Sequence, residues 1–245
     1  MEHEEYTRDN YPTSGKKYNG EKAIISLTSW RARINTVDKT IYSLIKQCPG
    51  FHIVLVLSEE EFPKREEELP ERLMLFVENE LIELLWVYKN YKSFKKVLFT
   101  MDKYRDIPVI SADDDCIYTC NYAEMLYQKW CKHKSYQIIT ATSCKVKDFT
   151  VPYGYATLYT PKIFNFQKIK KSFDVCLEKN ILHEDLIYAI YGFETLKILS
   201  LNKKISAIAK ASIDNRTNSN YVLLKSIPLN FQIETIMASI HEYNK

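Results

Sequence analysis

Glycine is scarce in this chain of 245 residues, with five residues in all. Neither the G-x-G-x-x-G pattern nor the G-x-x-x-x-G-K-[ST] phosphate loop occurs, and their absence disfavours a dehydrogenase or a P-loop enzyme. The six cysteines form no C-x-x-C pair and have no zinc-site spacing. Reduced thiols of a cytoplasmic protein are therefore the expected state of the cysteines.

Long hydrophobic runs and a secretory signal pattern are also missing, so the sequence predicts a cytoplasmic protein. The net charge is only +3, and the lysines are spread along the chain. Nucleic-acid binders usually concentrate positive charge, so no nucleic-acid partner is expected. A mildly basic surface still permits peripheral contact with anionic lipid, which leaves the inner face of the cytoplasmic membrane as a location.

Apolar runs of strand length alternate with helical patterns along the chain, and this alternation indicates the fold class. Strands are predicted at 23–28, 52–57, 82–87 and 109–112, and helical spacing separates them. This alternation predicts an α/β fold with a mostly parallel, Rossmann-like central sheet flanked by helices. Further helices are predicted at 122–133, 183–192 and 226–243, and further strands at 137–141 and 195–201. The polar, turn-rich residues 1–20 are predicted to be a flexible leader.

Three consecutive carboxylates, Asp113, Asp114 and Asp115, follow the predicted strand at 109–112. Side chains at the carboxyl end of such a strand face the ligand crevice of open α/β sheets. Burying like charges is costly, and a hard divalent cation is the usual compensation. Asp113 and Asp115 point the same way along an extended chain, so they can share one ion. The alternative is a solvated acidic turn.

Four segments together carry a more specific pattern: ISLTSWRARI at 25–34, YKSFKK at 91–96, SADDDCIY at 111–118 and HEDL at 183–186. They resemble a bacterial glycosyltransferase family of the GT-A fold that makes surface polysaccharides. That family has an SLTS-x-x-x-R-I opening, a KSYKK stretch, a T-A-D-D-D-x-x-Y motif and an acidic pair. The resemblance spans roughly residues 22–200. It implies one GT-A-like domain at 21–245, with a nucleotide-sugar half to about 120 and an acceptor half beyond.

The loop PYGYATLYTP at 152–161 resembles the family's GGVLYPP segment but departs from it. Ala156 and Thr157 stand where the family has glycines, and His183 stands where relatives have an acid or a small residue. The first departure bears on how closely the backbone approaches a bound sugar, and hence on the donor.

The resemblance implies that Mn²⁺ or Mg²⁺ is held by Asp113 and Asp115 and bridges the donor diphosphate, with Asp113 also contacting donor hydroxyls. Asp114 can contact the donor or point away and orient a neighbour. Thr28 follows the first strand, where it can meet the base or ribose.

Two cations are candidate ligands of the diphosphate. Arg33 can pair with a phosphate, or it is a surface arginine at a helix start. Lys96 is the better candidate of two adjacent lysines, which are otherwise usually solvated.

Glu184 and Asp185 open a predicted helix, where carboxylates are favoured by the helix dipole and are also routine caps. The resemblance makes Asp185, with Glu184, the preferred base and implies an inverting mechanism. His241 and, less favoured, His183 are candidate third metal ligands, although a lone histidine is more often structural.

One cluster of aromatic residues and one set of apolar residues each have two possible interpretations. Tyr153, Tyr155 and Tyr159 either form the floor of an acceptor-sugar site or pack within their loop. The apolar pattern of Ile233, Ile236, Met237 and Ile240 favours a helix docked on the sheet over a membrane or partner face.

The sequence thus predicts a metal-dependent hexosyltransferase that uses a nucleotide-sugar, most plausibly UDP-linked, and an oligosaccharide or lipid-linked glycan acceptor. A sugar nucleotidyltransferase is the first alternative, although such enzymes carry a glycine-rich signature near the first strand. A non-catalytic nucleotide- or carbohydrate-binding module is the second.

Overall fold

The computed structural model describes residues 6–47, 49–193, 195–211 and 227–241. Its strands are β1 (Thr13–Gly15), β2 (Ala23–Thr28), β3 (Phe51–Ser58), β4 (Glu83–Val87), β5 (Val109–Ser111), β6 (Cys116–Tyr118), β7 (Ile138–Thr140), β8 (Ser143–Val146), β9 (Phe149–Pro152), β10 (Thr157–Tyr159), β11 (Ile198–Ser200) and β12 (Ala209–Ala211). Its α-helices are α1 (Val37–Ile45), α2 (Glu71–Glu78), α3 (Lys95–Lys103), α4 (Tyr122–Lys132), α5 (Phe166–Glu178), α6 (Glu184–Tyr191) and α7 (Leu229–His241).

An eight-stranded sheet in the order β1-β4-β3-β2-β5-β10-β7-β11 forms the centre of the molecule. Strands β4, β3, β2 and β5 are mutually parallel, and β7 is parallel to β11. Strand β10 runs antiparallel to both of its neighbours, and β1 runs antiparallel to β4. The prediction of a mostly parallel α/β sheet flanked by helices is confirmed.

The strand order reverses between β2 and β5. From β2 the chain adds β3 and then β4 on one side, and it then crosses back to place β5 on the other side of β2. The connections that leave β2 and β5 therefore diverge, and a crevice opens outside the carboxyl ends of these two strands. Residues from Ser29 and from Ala112 onward enter this crevice.

Helices cover both faces of the sheet because successive strand residues point to opposite sides. In β2, Ile25 and Leu27 pack with α1, α2 and α4, whereas Ile24 packs with α3, α5, α6 and α7. The apolar residues of α1, at the spacing that the sequence predicted, are buried in the first of these layers.

Helix α7 docks on the second layer, as the favoured interpretation had it. Ile233, Ile236 and Ile240 are buried there, and Met237 points outward. In the part of the chain that the structure describes, no helix is long and apolar enough to cross a membrane.

The predicted flexible leader is wrong for Tyr11 to Gly15. Strand β1 pairs with β4 at the edge of the sheet, and the buried Tyr11 hydroxyl donates to Asp102 Oδ2 at 3.0 Å. Polar composition suggested a loose segment, but backbone pairing and one buried ring order it. The sequence prediction also missed α5 and the short pair β6–β12. The division of the domain near residue 120 stays a prediction.

Gly15 tests the contribution of the edge strand to stability. Gly15 and Gly20 both have a positive φ, of +83° and +79°, but a Cβ at Gly15 would overlap the Ile82 carbonyl oxygen, whereas a Cβ at Gly20 meets nothing within 4 Å. Gly20→Ala should therefore cost about 1–2 kcal/mol of unfolding free energy from backbone strain alone. Gly15→Ala should cost at least about 1 kcal/mol more. Urea unfolding of both variants measures this difference, and equal losses would contradict a tightly packed β1.

Candidate functional site

Asp114 is the buried member of the aspartate triplet, and it points into the protein. Its carboxylate accepts hydrogen bonds from Ser29 Oγ at 2.7 Å and from the Arg33 guanidinium at 2.7 Å. Thr40 Oγ1 donates to the Asp114 main-chain oxygen at 2.9 Å. These three contacts join the loop after β5 to the loop after β2 and to α1. In this structure both carboxylate oxygens of Asp114 are bonded to neighbouring side chains, and a contact of Asp114 with the donor stays a prediction.

Arg33 is held by carboxylates in this structure. Besides its bond to Asp114, its guanidinium lies 3.1 Å from Asp115 Oδ2. Burial disfavours the charged guanidinium, but the charges of Asp114 and Asp115 outweigh this effect and raise the pKa of Arg33. Arg33 is only 13% exposed, so it is not the surface arginine of the alternative interpretation.

Asp113 and Asp115 are the accessible members of the triplet, with 40% and 34% of their side chains exposed. The extended chain on which their common direction was predicted ends at Ser111, because residues 114 and 115 lie in a turn. Partial burial and the neighbouring charge of Asp113 raise the pKa of Asp115. Two carboxylates, each in contact with a cation, are therefore partly exposed at this position.

The donor set at this position fits a divalent cation shared with a substrate. Within the described ranges, no three side chains of His, Cys, Asp or Glu come together as a complete cage. Mg²⁺ and Mn²⁺ need no such cage, because they commonly bind through one or two carboxylates and complete their shell with water and substrate phosphates. Asp113 and Asp115 can supply those carboxylates.

Lys96 joins the triplet to the acidic pair of α6. Its Nζ lies 2.6 Å from Asp113 Oδ1 and 2.9 Å from Glu184 Oε1, and its side chain is nearly inaccessible. Burial disfavours the ammonium, but the charges of Asp113 and Glu184 outweigh it and raise the pKa of Lys96 well above its usual value.

The interpretation of the two lysines as solvated is wrong, because both are buried at the start of α3. Lys95 Nζ donates to the Lys92 main-chain oxygen at 3.0 Å and to Asn90 Oδ1 at 3.3 Å. Burial lowers the pKa of Lys95 to about 8.

Asp185 has one oxygen fixed and one oxygen without a partner. Its Oδ2 accepts a hydrogen bond from the Gly154 main-chain N–H at 2.9 Å. Its Oδ1 is buried and has no hydrogen-bond partner among the described residues. Burial, and then the charge of Glu184, raise the pKa of Asp185 to about 8. Burial likewise raises the pKa of Glu184, against the charge of Lys96. In these surroundings the pair holds a proton at higher pH than free carboxylates do.

The remaining candidates have other surroundings. Thr28 Oγ1 donates to the Val56 main-chain oxygen at 2.6 Å, a bond between neighbouring strands. His183 precedes α6 and is half-buried, and burial lowers its pKa. The side chain of His241, at the end of α7, lies outside the described residues.

Four contributing residues escaped the sequence analysis: Ser29, Thr40, Tyr118 and Gly154. The Tyr118 hydroxyl accepts from the Asp113 N–H at 2.8 Å and donates to the Tyr155 main-chain oxygen at 2.8 Å. Ser29 and Tyr118 lie inside two of the motifs described above, and that position was the signal available for them. The scarcity of glycine in this chain was the signal available for Gly154. Thr40 gave no signal.

No family model and no curated protein matches the sequence. Among solved structures, the mannosyltransferase PcManGT from Pyrobaculum calidifontis, in complex with GDP-Man and Mn²⁺, is similar with a TM-score of 0.54 and 8% identity. That similarity covers 94% of this chain and 73% of PcManGT.

Two further structures have lower TM-scores. Staphylococcus aureus TarS 1–349 has a TM-score of 0.49 and 11% identity, over 89% of this chain and 69% of that one. The glycosyltransferase GlyE of Streptococcus pneumoniae TIGR4 has 0.46 and 16%, over 75% of this chain and 46% of GlyE. The chain thus spans under half the length of GlyE. The similarity to PcManGT shows that this chain shares its fold with a glycosyltransferase, as the GT-A-like fold class predicted.

Proposed function

We propose that this chain is a metal-dependent glycosyltransferase that moves a hexose from a nucleotide-sugar to a glycan acceptor. The observation that carries the proposal is the crevice outside β2 and β5. Two accessible carboxylates, Asp113 and Asp115, lie there, and Lys96 connects Asp113 to Glu184, next to Asp185. One end of this array can bind a diphosphate through a metal ion, and the other can accept a proton. Sharing a fold with PcManGT supports the same class of reaction.

At the donor end of the array, more carboxylates than cations are exposed at the surface. Bound between Asp113 and Asp115, Mn²⁺ or Mg²⁺ would neutralise the charge of the leaving diphosphate. Asp114 takes no part in that contact, because Ser29 and Arg33 hold it. Its role is to keep the backbone of its two neighbours in place. Contacts of Thr28 and Arg33 with the donor, and a metal-binding role of His241, stay predictions.

Lys96 has an indirect role in this proposal. Its ammonium already lies between Asp113 and Glu184, so a direct contact with phosphate would require it to leave one of them. Between Asp113 and Glu184, the Lys96 ammonium balances part of the negative charge of both carboxylates. Lys96 therefore acts as a positioning residue that fixes the distance between the donor end and the acceptor end.

The acceptor end requires a base, and Asp185 suits this role. Its unpartnered Oδ1 can take the proton of an acceptor hydroxyl while the hydroxyl oxygen bonds to the anomeric carbon. The bond from that carbon to the diphosphate breaks, and the electron pair leaves with the diphosphate. A single displacement of this kind inverts the anomeric configuration, as the sequence resemblance implies. Glu184, held by Lys96, favours transfer of the proton to Asp185 rather than to itself.

UDP as the nucleotide, a lipid-linked oligosaccharide as acceptor and a role in capsule, lipopolysaccharide or other surface polysaccharide synthesis complete the proposal. They rest on the sequence resemblance, as does a location at the inner membrane face. A nucleotidyltransferase is less favoured, because the chain has no glycine-rich loop after β2. A binding module would make no use of an acid that holds its proton near neutral pH.

A screen of nucleotide-sugars tests the proposal directly. UDP- and GDP-linked hexoses are incubated with the protein, with and without Mn²⁺, and the release of nucleoside diphosphate is measured. We expect slow, metal-dependent release from one donor, and faster release when the acceptor is present. Formation of nucleotide-sugar from nucleoside triphosphate and sugar phosphate would contradict the proposal, and so would the absence of any nucleotide-dependent thermal shift.

Variants of the adjacent residues Asp114 and Asp115 distinguish a loss of metal binding from a loss of folding stability. With nucleoside diphosphate and Mn²⁺ at 100-fold excess over Kd, the wild-type protein should gain about 2.7 kcal/mol of stability. Asp115→Ala should keep the ligand-free melting temperature and lose most of this gain. Asp114→Ala should lose about 3–5 kcal/mol without ligand, because Arg33 is left without its buried partner. Thermal unfolding with and without ligand measures both, and an unchanged ligand response of Asp115→Ala would remove it from the metal site.

Asp185→Asn tests the proposed base, because its effects on the reaction rate and on stability should depend on pH in different ways. The wild-type rate should rise with pH through about 8, because the base must be ionised. Loss of that base should lower the rate about 10²–10⁴-fold. A carboxyl whose pKa is raised on folding destabilises the protein as pH rises from about 4 towards 8, because the folded chain binds the proton more tightly. The variant should therefore gain stability relative to wild type between pH 5 and pH 9.

Asp148→Asn is the matched control, because Asp148 is an exposed aspartate in the turn between β8 and β9. Its activity and its pH dependence of unfolding should follow the wild type. Full activity of Asp185→Asn would assign the base to another residue.

A further inference from the structure

The turn between β9 and β10, residues 153–156, lies beside the base and is held at three points. The Tyr153 main-chain oxygen accepts from Thr157 Oγ1 at 2.8 Å. The Gly154 N–H donates to Asp185. The Tyr155 main-chain oxygen accepts from the Tyr118 hydroxyl, which in turn accepts from the Asp113 N–H. This turn is therefore connected both to the proposed base and to the proposed metal-binding aspartate.

Tyr153 and Tyr155 flank Gly154 in the sequence, and their rings contact each other. Their centroids are 6.1 Å apart and their planes differ by 30°, so the rings are stacked. Tyr153 is 37% exposed and Tyr155 is half-buried, whereas Tyr159 is fully buried in the core. The hypothesis of an aromatic floor that included Tyr159 is thus wrong for that residue. The exposed ring surface of the turn belongs to Tyr153 and Tyr155.

Gly154 packs directly against the acidic pair. A Cβ at this position would stand 2.6 Å from Asp185 Oδ1 and 3.1 Å from Glu184 Oε1, so a larger residue would displace the carboxylates. The backbone of the turn can lie this close to the proposed base only because residue 154 is glycine. The aromatic surface of the turn therefore adjoins the acidic pair.

We infer that the stacked pair of Tyr153 and Tyr155 binds a pyranose ring of the acceptor and holds it beside Asp185, to which the turn is bonded through Gly154. This inference rests on the proposed function. An aromatic face packs well against the apolar C–H face of a sugar, and tyrosine adds a polar tip for its hydroxyls. Residues 152–161 contain no charged side chain, so the turn offers no ion pair to an acidic sugar or a charged peptide. The acceptor residue at this position is a neutral sugar.

Saturation-transfer NMR with methyl β-D-galactopyranoside and methyl β-D-glucopyranoside tests the inference. The protein is first mixed with UDP and Mn²⁺, and each glycoside is titrated to obtain its Kd. We expect at least one glycoside to bind with its ring C–H protons in contact. Tyr153→Ala should weaken that binding about 5–10-fold, whereas Tyr153→Phe should keep it within about 2-fold. Tyr42→Ala is the matched control, because Tyr42 is an exposed tyrosine of α1, 53% accessible.

The outcomes distinguish this inference from the proposed function. Equal binding by wild type and Tyr153→Ala, equal losses in Tyr153→Ala and Tyr42→Ala, or no glycoside binding by wild type would overturn it. Donor hydrolysis without acceptor is measured on the same samples, and Tyr153→Ala should leave it unchanged. Loss of donor hydrolysis in that variant would also overturn the acceptor assignment. Absence of donor hydrolysis in every sample would contradict the proposed function instead, while Tyr153-dependent glycoside binding would still support the subsite.

Discussion

The arrangement of the crevice depends on one buried ion pair, that of Asp114 with Arg33. A buried charge is costly unless it is paired and hydrogen-bonded, and Ser29 supplies the further bond that Asp114 needs. Because Arg33 and Ser29 follow β2 whereas Asp114 follows β5, the pair joins the two loops that diverge at the reversal of strand order. Its neighbours Asp113 and Asp115 keep 40% and 34% of their side chains exposed.

A second buried cation, Lys96, balances the opposite wall of the crevice. It contacts two carboxylates, and a third, Asp185, lies beside Glu184, so three acids share one ammonium. Such a group has two ways to reduce its excess negative charge. It can keep a proton, which the raised pKa of Asp185 favours, or, as proposed, it can bind a cation at Asp113. If Asp113 holds the metal ion, proton release from Asp185 becomes easier when that ion binds, because both act on the same group of charges.

The periodic features of the sequence predicted the central strands and most helices. Contacts between distant residues were not predictable. Asp114 meets Ser29 across 85 residues, and nothing local distinguishes a buried Lys96 from a solvated lysine pair. Polar residues at 13–15 form a strand only because β4 offers a free edge. The role of Gly154 depends on its contact with Asp185, which lies on α6, 31 residues further along the chain.

The antiparallel direction of β10 has an evolutionary consequence. Because Thr157 pairs with Ser111, the turn that enters β10 lies at the same edge of the sheet as the segment that leaves β5. Asp113 follows the end of a buried central strand, whereas the turn with Tyr153 connects β9, which pairs with β8, to β10 of the central sheet. Loops tolerate changes of side chain better than central strands do, but the main-chain bonds of this turn to Asp185 and to the Tyr118 hydroxyl fix its length. In descendants of this chain, side-chain substitutions at residues 153 and 155 are therefore compatible with the arrangement of the crevice, whereas insertions and deletions in the turn are not.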